Sequence, residues 1–180
     1  MKNKTYNYIS LACLAGLALL LSACGEKNTE DNGASTDVSA LDSIQLLDTK
    51  PVDALAVKTA REQLKPGEEA VVFGQIGGAE QPFFDGYAGF VLGDTDITFC
   101  DEMGDEHCDK PWDACCEDSD KLKVSRASVQ FVDAEGQPIM KNIKGLSGIK
   151  ELDEVVVIGE VAKTSTPGNL IINARGIYVE

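Results

Sequence analysis

Positive charge is scarce in this chain. Over 180 residues it has 16 Lys and Arg against 30 Asp and Glu, a formal net charge of −14. Proteins that grip nucleic acid neutralise phosphates with basic side chains, so this balance argues against a nucleic-acid partner. It also argues against electrostatic attraction to an anionic lipid surface. Histidine is scarcer still: His107 is the only one. A Ser-His-Asp triad would have a single possible base, set in a segment crowded with acids. There is no G-x-S-x-G, no H-E-x-x-H and no Walker loop. Carboxylates abound, but abundance without a recognisable cleft is no acid–base signal. The chain reads as a non-enzyme. Long apolar runs are missing too. The longest, Ile9 to Leu21, has 13 residues, whereas a transmembrane helix needs about 20.

What is present begins with an address. Lys2 and Lys4 precede the short apolar run, as in a secretory signal peptide. The run ends in Leu21-Ser22-Ala23-Cys24-Gly25. Small residues before a cysteine are similar to the lipobox of bacterial lipoproteins. That resemblance implies cleavage before Cys24, acylation of its sulfur and amino group, and stable anchoring by its acyl chains. Gly25 in place of Asp implies the outer membrane, with the protein facing the periplasm. Removing residues 1–23 removes two of the 16 basic residues and no acid, leaving a net charge of −16. The expected organisation is a signal peptide over 1–23, a lipidated and disordered tether over 24–50, and one domain over 51–180. The tether's polar stretch, GEKNTEDNGASTDVSA, has no helical or strand period. Extended to residue 50, it would reach roughly 30 Å. At its end Leu41, Ile44, Leu46 and Leu47 mark a short docking segment.

Pro51 to Leu64 carries apolar residues at helical spacing and is stopped by Lys65-Pro66-Gly67, so it reads as a helix. Two later segments match each other: EAVVFGQI at 69–76 and EVVVIGEV at 154–161, with Gly74 and Gly159 in the same place. A glycine within a β-branched strand marks a bend or a close backbone approach. Barrel strands need such bends. Further strands are expected at 86–99, with a break at Gly93-Asp94, at 121–132, at 154–163 and at 170–179. In 121–132 the apolar alternation changes phase after Val124, which predicts a bulge near Ser125-Arg126. Residues 140–153 form a connection.

The resulting expectation is an all-β domain with one N-terminal helix. Val72-Phe73-Gly74-Gln75-Ile76 as first strand, Gly159 within EVVVIGEVAK as fourth and LIINARGIYV as fifth resemble the OB-fold, a five-stranded antiparallel Greek-key barrel. A helix leading into the first strand of an exported protein is similar to the periplasmic bacterial OB-fold family. Strands one and four are then expected to pair. The expected interior includes Val72, Ile76, Phe90, Leu92, Val129, Val157 and Ile172. A further resemblance is to an uncharacterised group of exported bacterial proteins with a PWD-x-CC loop after an IGG strand, here Pro111 to Cys116 and Ile76-Gly77-Gly78. It implies no known activity.

The stretch CDEMGDEHCDKPWDACCED, from Cys100 to Asp118, holds four of the six cysteines, His107, Trp112, eight acids and one lysine. It is the acidic, cysteine-rich loop (100–120) between strands two and three. Export makes disulfides the preferred reading. Four cysteines allow three pairings. Adjacent cysteines rarely bridge each other, so Cys115 and Cys116 are each expected to pair with Cys100 or Cys108, in an open order. The alternative takes Cys100, His107, Cys108, Cys115 and Cys116 as zinc or copper ligands; otherwise no cofactor is expected. Trp112 is expected to pack over the sulfurs. Phe83 and Phe84, in an apolar Pro-Phe-Phe loop, join Trp112 as candidate ligand contacts. The functional expectation is a lipid-anchored envelope module whose partner is an envelope protein or a small ligand. Metal binding is the alternative, and oligosaccharide or oligonucleotide binding by the barrel rests on fold analogy alone.

Overall fold

The computed structural model describes residues 40–103 and 108–180. The expected signal peptide, Cys24 and His107 lie outside the described residues. The described chain is mostly β, with a seven-stranded mixed sheet and two short α-helices. In order these are β1 (Gln45–Leu46), β2 (Leu55–Ala56), α1 (Val57–Gln63), β3 (Glu69–Ile76), β4 (Gly89–Gly93), α2 (Ser119–Val124), β5 (Arg126–Phe131), β6 (Glu154–Val161) and β7 (Leu170–Val179).

Each of the five longer strands has two long partners. β3 pairs β4 and β6, β4 pairs β5, β6 pairs β7, and β7 pairs β5. The expected pairing of first and fourth strands is therefore β3 with β6, from Glu69↔Glu160 to Gln75↔Glu154. One expectation needs correcting: β5 and β7 run parallel. The reason is topological. Direction can alternate all the way round a circuit only if the number of strands is even, and five forces one like-directed pair.

Alternation places the core. In β3, Ala70, Val72, Gly74 and Ile76 are buried while their neighbours are less so. In β5, Ala127, Val129 and Phe131 do the same. Phe90 and Phe131 meet at the centre, with ring centroids 6.0 Å apart. All seven residues expected inside are fully buried. The matched glycines mark close approaches. A Cβ on Gly159 would stand 2.2 Å from the Asn173 carbonyl oxygen, and one on Gly74 would stand 2.4 Å from that of Gly93. The β6–β7 register also shifts between Ile158 and Gly159.

Four local expectations are revised. The helix expected over 51–64 is shorter, because Leu55 and Ala56 pair in parallel with β3 before α1 begins. Strand two spans only 89–93; beyond Gly93 the chain turns, and Ile97 and Phe99 enter a separate small cluster. The strand expected over 121–132 begins only at Arg126. Its first part is α2, whose N-terminus is capped by Asp118, which accepts from the Asp120 and Lys121 amides at 3.0 Å. The phase change near Ser125-Arg126 is thus a helix-to-strand junction and no bulge. Finally, the stretch before Pro51 is part of this body. Ile44 is buried, and β1 lies parallel to β7, with the Leu47 amide donating to Ile177 at 2.9 Å.

Candidate functional site

The loops after β3 and β4 and the segment before β6 meet around the cysteine segment. The link starts at the glycines that end β3. Gly78 adopts φ +79°, and its amide donates to the Trp112 carbonyl at 2.8 Å. A Cβ on Gly77 would come within 2.7 Å of that same carbonyl oxygen. The Ile76-Gly77-Gly78 and Pro111-to-Cys116 motifs, far apart in sequence, are therefore in direct contact. The Trp112 indole Nε1 donates to the Glu80 carbonyl at 3.0 Å, and Lys110 pairs with the Glu80 carboxylate. The Leu152 amide donates to Ile76 at 2.8 Å, tying the segment before β6 to the end of β3.

Two arms of the cysteine segment are bridged by backbone. The Cys100 amide donates to Asp113 at 2.8 Å, and the Asp101 amide donates to Pro111 at 2.9 Å. Beneath them Ile97, Phe99 and Ala114 form a small buried cluster, with Leu122 of α2 and Leu152 packed against it. Burying a side chain such as Phe99 is worth on the order of 1.5–3 kcal/mol. The cluster seats the loop on the sheet.

The four cysteines 100, 108, 115 and 116 are free. No pair lies at the bonding distance expected for a disulfide. Cys115 Sγ is instead 3.6 Å from Cys100 Sγ, 3.8 Å from Cys108 Sγ and 3.9 Å from Cys116 Sγ. Cys100 is buried, Cys108 half-buried, and Cys115 and Cys116 are exposed. Burial is the main cause that pushes the Cys100 thiol up. The backbone hydrogen bond from Lys110 is the main cause that lowers Cys108. Cys115 is pushed up to about 12, first by its hydrogen bond with Cys100 and then by those with Cys108 and Cys116. Crowded thiols ionise at each other's expense.

The three aromatic candidates serve different ends. Phe83 is buried edge-on against Phe90, at 6.0 Å and 72°, so it belongs to the core. Phe84 is half-buried and stacks on Tyr87 at 5.1 Å. Trp112 is held by Glu80 and lines an open groove with Pro82, Phe83, Lys110 and Lys144. Its indole is thus tied to the groove side, on the Glu80 loop.

Two carboxylates that organise this region escaped the sequence reading. Buried Asp94 accepts the Lys58 amide at 2.7 Å and the Asp96 amide at 3.1 Å, joining the turn after β4 to the first turn of α1. Glu117 accepts from the Thr98 and Asp118 amides and pairs with Lys121 at 2.7 Å. The Lys121 ammonium, followed by these two amides, holds its carboxyl down at about 2. The only sequence signal for either was position: Asp94 follows a strand-ending glycine, and Glu117 stands before an Asp-Ser-Asp helix start. Comparison with protein-family models, with curated proteins and with solved structures finds no match to this chain.

Proposed function

We propose that this chain is a lipid-anchored module of a bacterial cell envelope, presenting an OB-like Greek-key barrel on a tether to an envelope partner. The observation that carries the anchoring is Leu21-Ser22-Ala23-Cys24 after a short apolar run. Two acyl chains or more hold a protein stably where one does not. With a net charge of −16 after processing, the lipid must supply the membrane affinity.

The barrel reading is supported by the order of the strands. β6-β3-β4-β5 is the 4-1-2-3 order of a Greek key, with the stretch between β5 and β6 as the long return connection. β7 then stands between β6 and β5, so the neighbour relations return to their start. The end where Trp112, Glu80 and the cysteines gather is the binding end of this module. Its lysines are engaged locally: Lys110 with Glu80, Lys144 with Glu151, and Lys150 with Asp153. The remaining acids suit a cationic or neutral partner, such as a basic segment of an envelope protein.

The test is the Cys24→Ala variant, followed by palmitate labelling and fractionation. The wild type should label, sediment with the outer membrane and carry a mature mass that starts at Cys24. The variant should remain unprocessed and unlabelled. An unchanged mature mass and unchanged membrane fractionation in the variant would remove the anchor from this reading.

A further inference from the structure

The sulfurs of Cys100, Cys108 and Cys115 all lie within 4.8 Å of one another. Cys115 sits at the hub, 3.6 and 3.8 Å from the other two. A zinc–thiolate bond is about 2.3 Å long, so two sulfurs on one tetrahedral ion stand about 3.8 Å apart. Disulfides join sulfurs two by two at about 2.05 Å. One sulfur nearly equidistant from its neighbours is the spacing of ligands around a shared centre. The backbone bridges Cys100–Asp113 and Asp101–Pro111 already hold the two arms together. The cluster is therefore preorganised without any sulfur–sulfur bond.

We propose that Cys100, Cys108 and Cys115 form a three-thiolate site for one thiophilic, closed-shell cation, zinc or copper(I). Soft thiolates select these ions over magnesium or calcium. Binding is an acid–base exchange with no electron transfer. Each thiol releases its proton to solvent as its sulfur bonds the ion. On zinc, three thiolates leave a net charge of −1 and a fourth coordination position that none of the described cysteines fills. On copper(I) they complete a trigonal set. Cys116 meets Cys115 alone and stays outside the three. The ion relieves the mutual repulsion that three neighbouring thiolates would otherwise suffer. The site stands on the thiol geometry and is independent of the lipid anchor.

The experiment uses the full chain in detergent micelles, reduced with a phosphine and stripped of metal. Titration with cobalt(II) should give thiolate-to-cobalt charge-transfer bands that saturate at one ion per chain and vanish on adding zinc. Binding should release protons, because thiols must ionise to ligate. A parallel arm with copper(I) against a chelator separates the two ions by affinity. Bound zinc should protect three cysteines of the loop from alkylation and leave Cys116 open. Cys100→Ser and Cys115→Ser should lose the saturable band; Cys116→Ser should keep it, with unchanged far-ultraviolet circular dichroism. Protection of two cysteines or of none would overturn the proposal. So would equal loss in Cys115→Ser and Cys116→Ser, or a stoichiometric Cys100–Cys115 disulfide in protein isolated from the envelope without reductant.

Discussion

The circuit of five strands and the cysteine segment are held together in opposite ways. In the strands every second side chain enters one shared interior, where Phe90, Phe131, Ile76, Leu92 and Ile172 are fully buried. Each of these strands is hydrogen-bonded to two of the others. Among the described residues from Cys100 to Asp118 there is no strand. Backbone hydrogen bonds to the Asp113, Pro111 and Trp112 carbonyls and the small cluster of Ile97, Phe99 and Ala114 hold this segment in place. The difference teaches where stability and where chemistry reside. A dry, interlocked core tolerates no polar intrusion. A loop seated on a small cluster can display thiols at a defined spacing while leaving two of them open to solvent. Regions of low local stability are where binding groups are commonly found.

The comparison breaks most severely at the circuit. Val157 of β6 faces the interior opposite Val72, and both are fully buried. Val157→Asp places an unpaired carboxylate there, a change expected to cost about 4 kcal/mol or more. Loss of the cooperative transition in chemical denaturation is the expected result; a folded, cooperative variant would refute the placement.

Phe90→Ala and Phe99→Ala apply one truncation to both regions. In a core the cost is about 3–5 kcal/mol. For Phe90 that loss should appear in the global unfolding midpoint. For Phe99 it should appear first as faster alkylation of Cys100, with the amides of β3 and β6 still protected from hydrogen exchange. Equal effects of the two on both readouts would erase the distinction between the regions.

Asp94→Ala removes the carboxylate that links the turn after β4 to α1. Loss of a helix-capping side chain costs about 1 kcal/mol. Urea denaturation should show this as a lower midpoint with an unchanged slope.

The smallest effect is set by acidity. The folded-state value of Glu117 lies at about 2, below its ordinary 4.5. A depressed carboxyl stabilises the folded state fully above pH 4.5 and loses that contribution as pH falls towards 2. Loop-thiol accessibility should therefore rise over this range in the wild type. Glu117→Gln should be more accessible at pH 7 and flatter across the range. Parallel curves for the two proteins would exclude this anchoring role.

Some of this was legible before the structure. EAVVFGQI and EVVVIGEV are β-branched apolar runs with a glycine in the same place, and they became neighbouring strands. Lys121 to Val124 misled, because Leu122 and Val124 also alternate, and a six-residue helix is too short to show its own period. Asp118 as N-cap was the overlooked sign. Pro51 to Ala56 misled in the other direction. Helical spacing there was outweighed by hydrogen bonds that Leu55 and Ala56 gain beside β3. Phe83 packs edge-on against Phe90 while also lining the groove beside Trp112, a double placement between residues of separate segments that spacing could not show.

The sequence by itself determined the alternating apolar pattern, the close-approach glycines, the acidity and the crowding of four cysteines into one segment. These are local properties, expressed wherever the chain goes. The parallel β5–β7 neighbour, the meeting of Gly78 with Trp112 and the convergence of Cys100, Cys108 and Cys115 were decided only by tertiary structure. Each depends on bringing together chain segments that are separated in sequence. Backbone bridges and a small buried cluster fix those distances, and neither can be read from spacing along the chain.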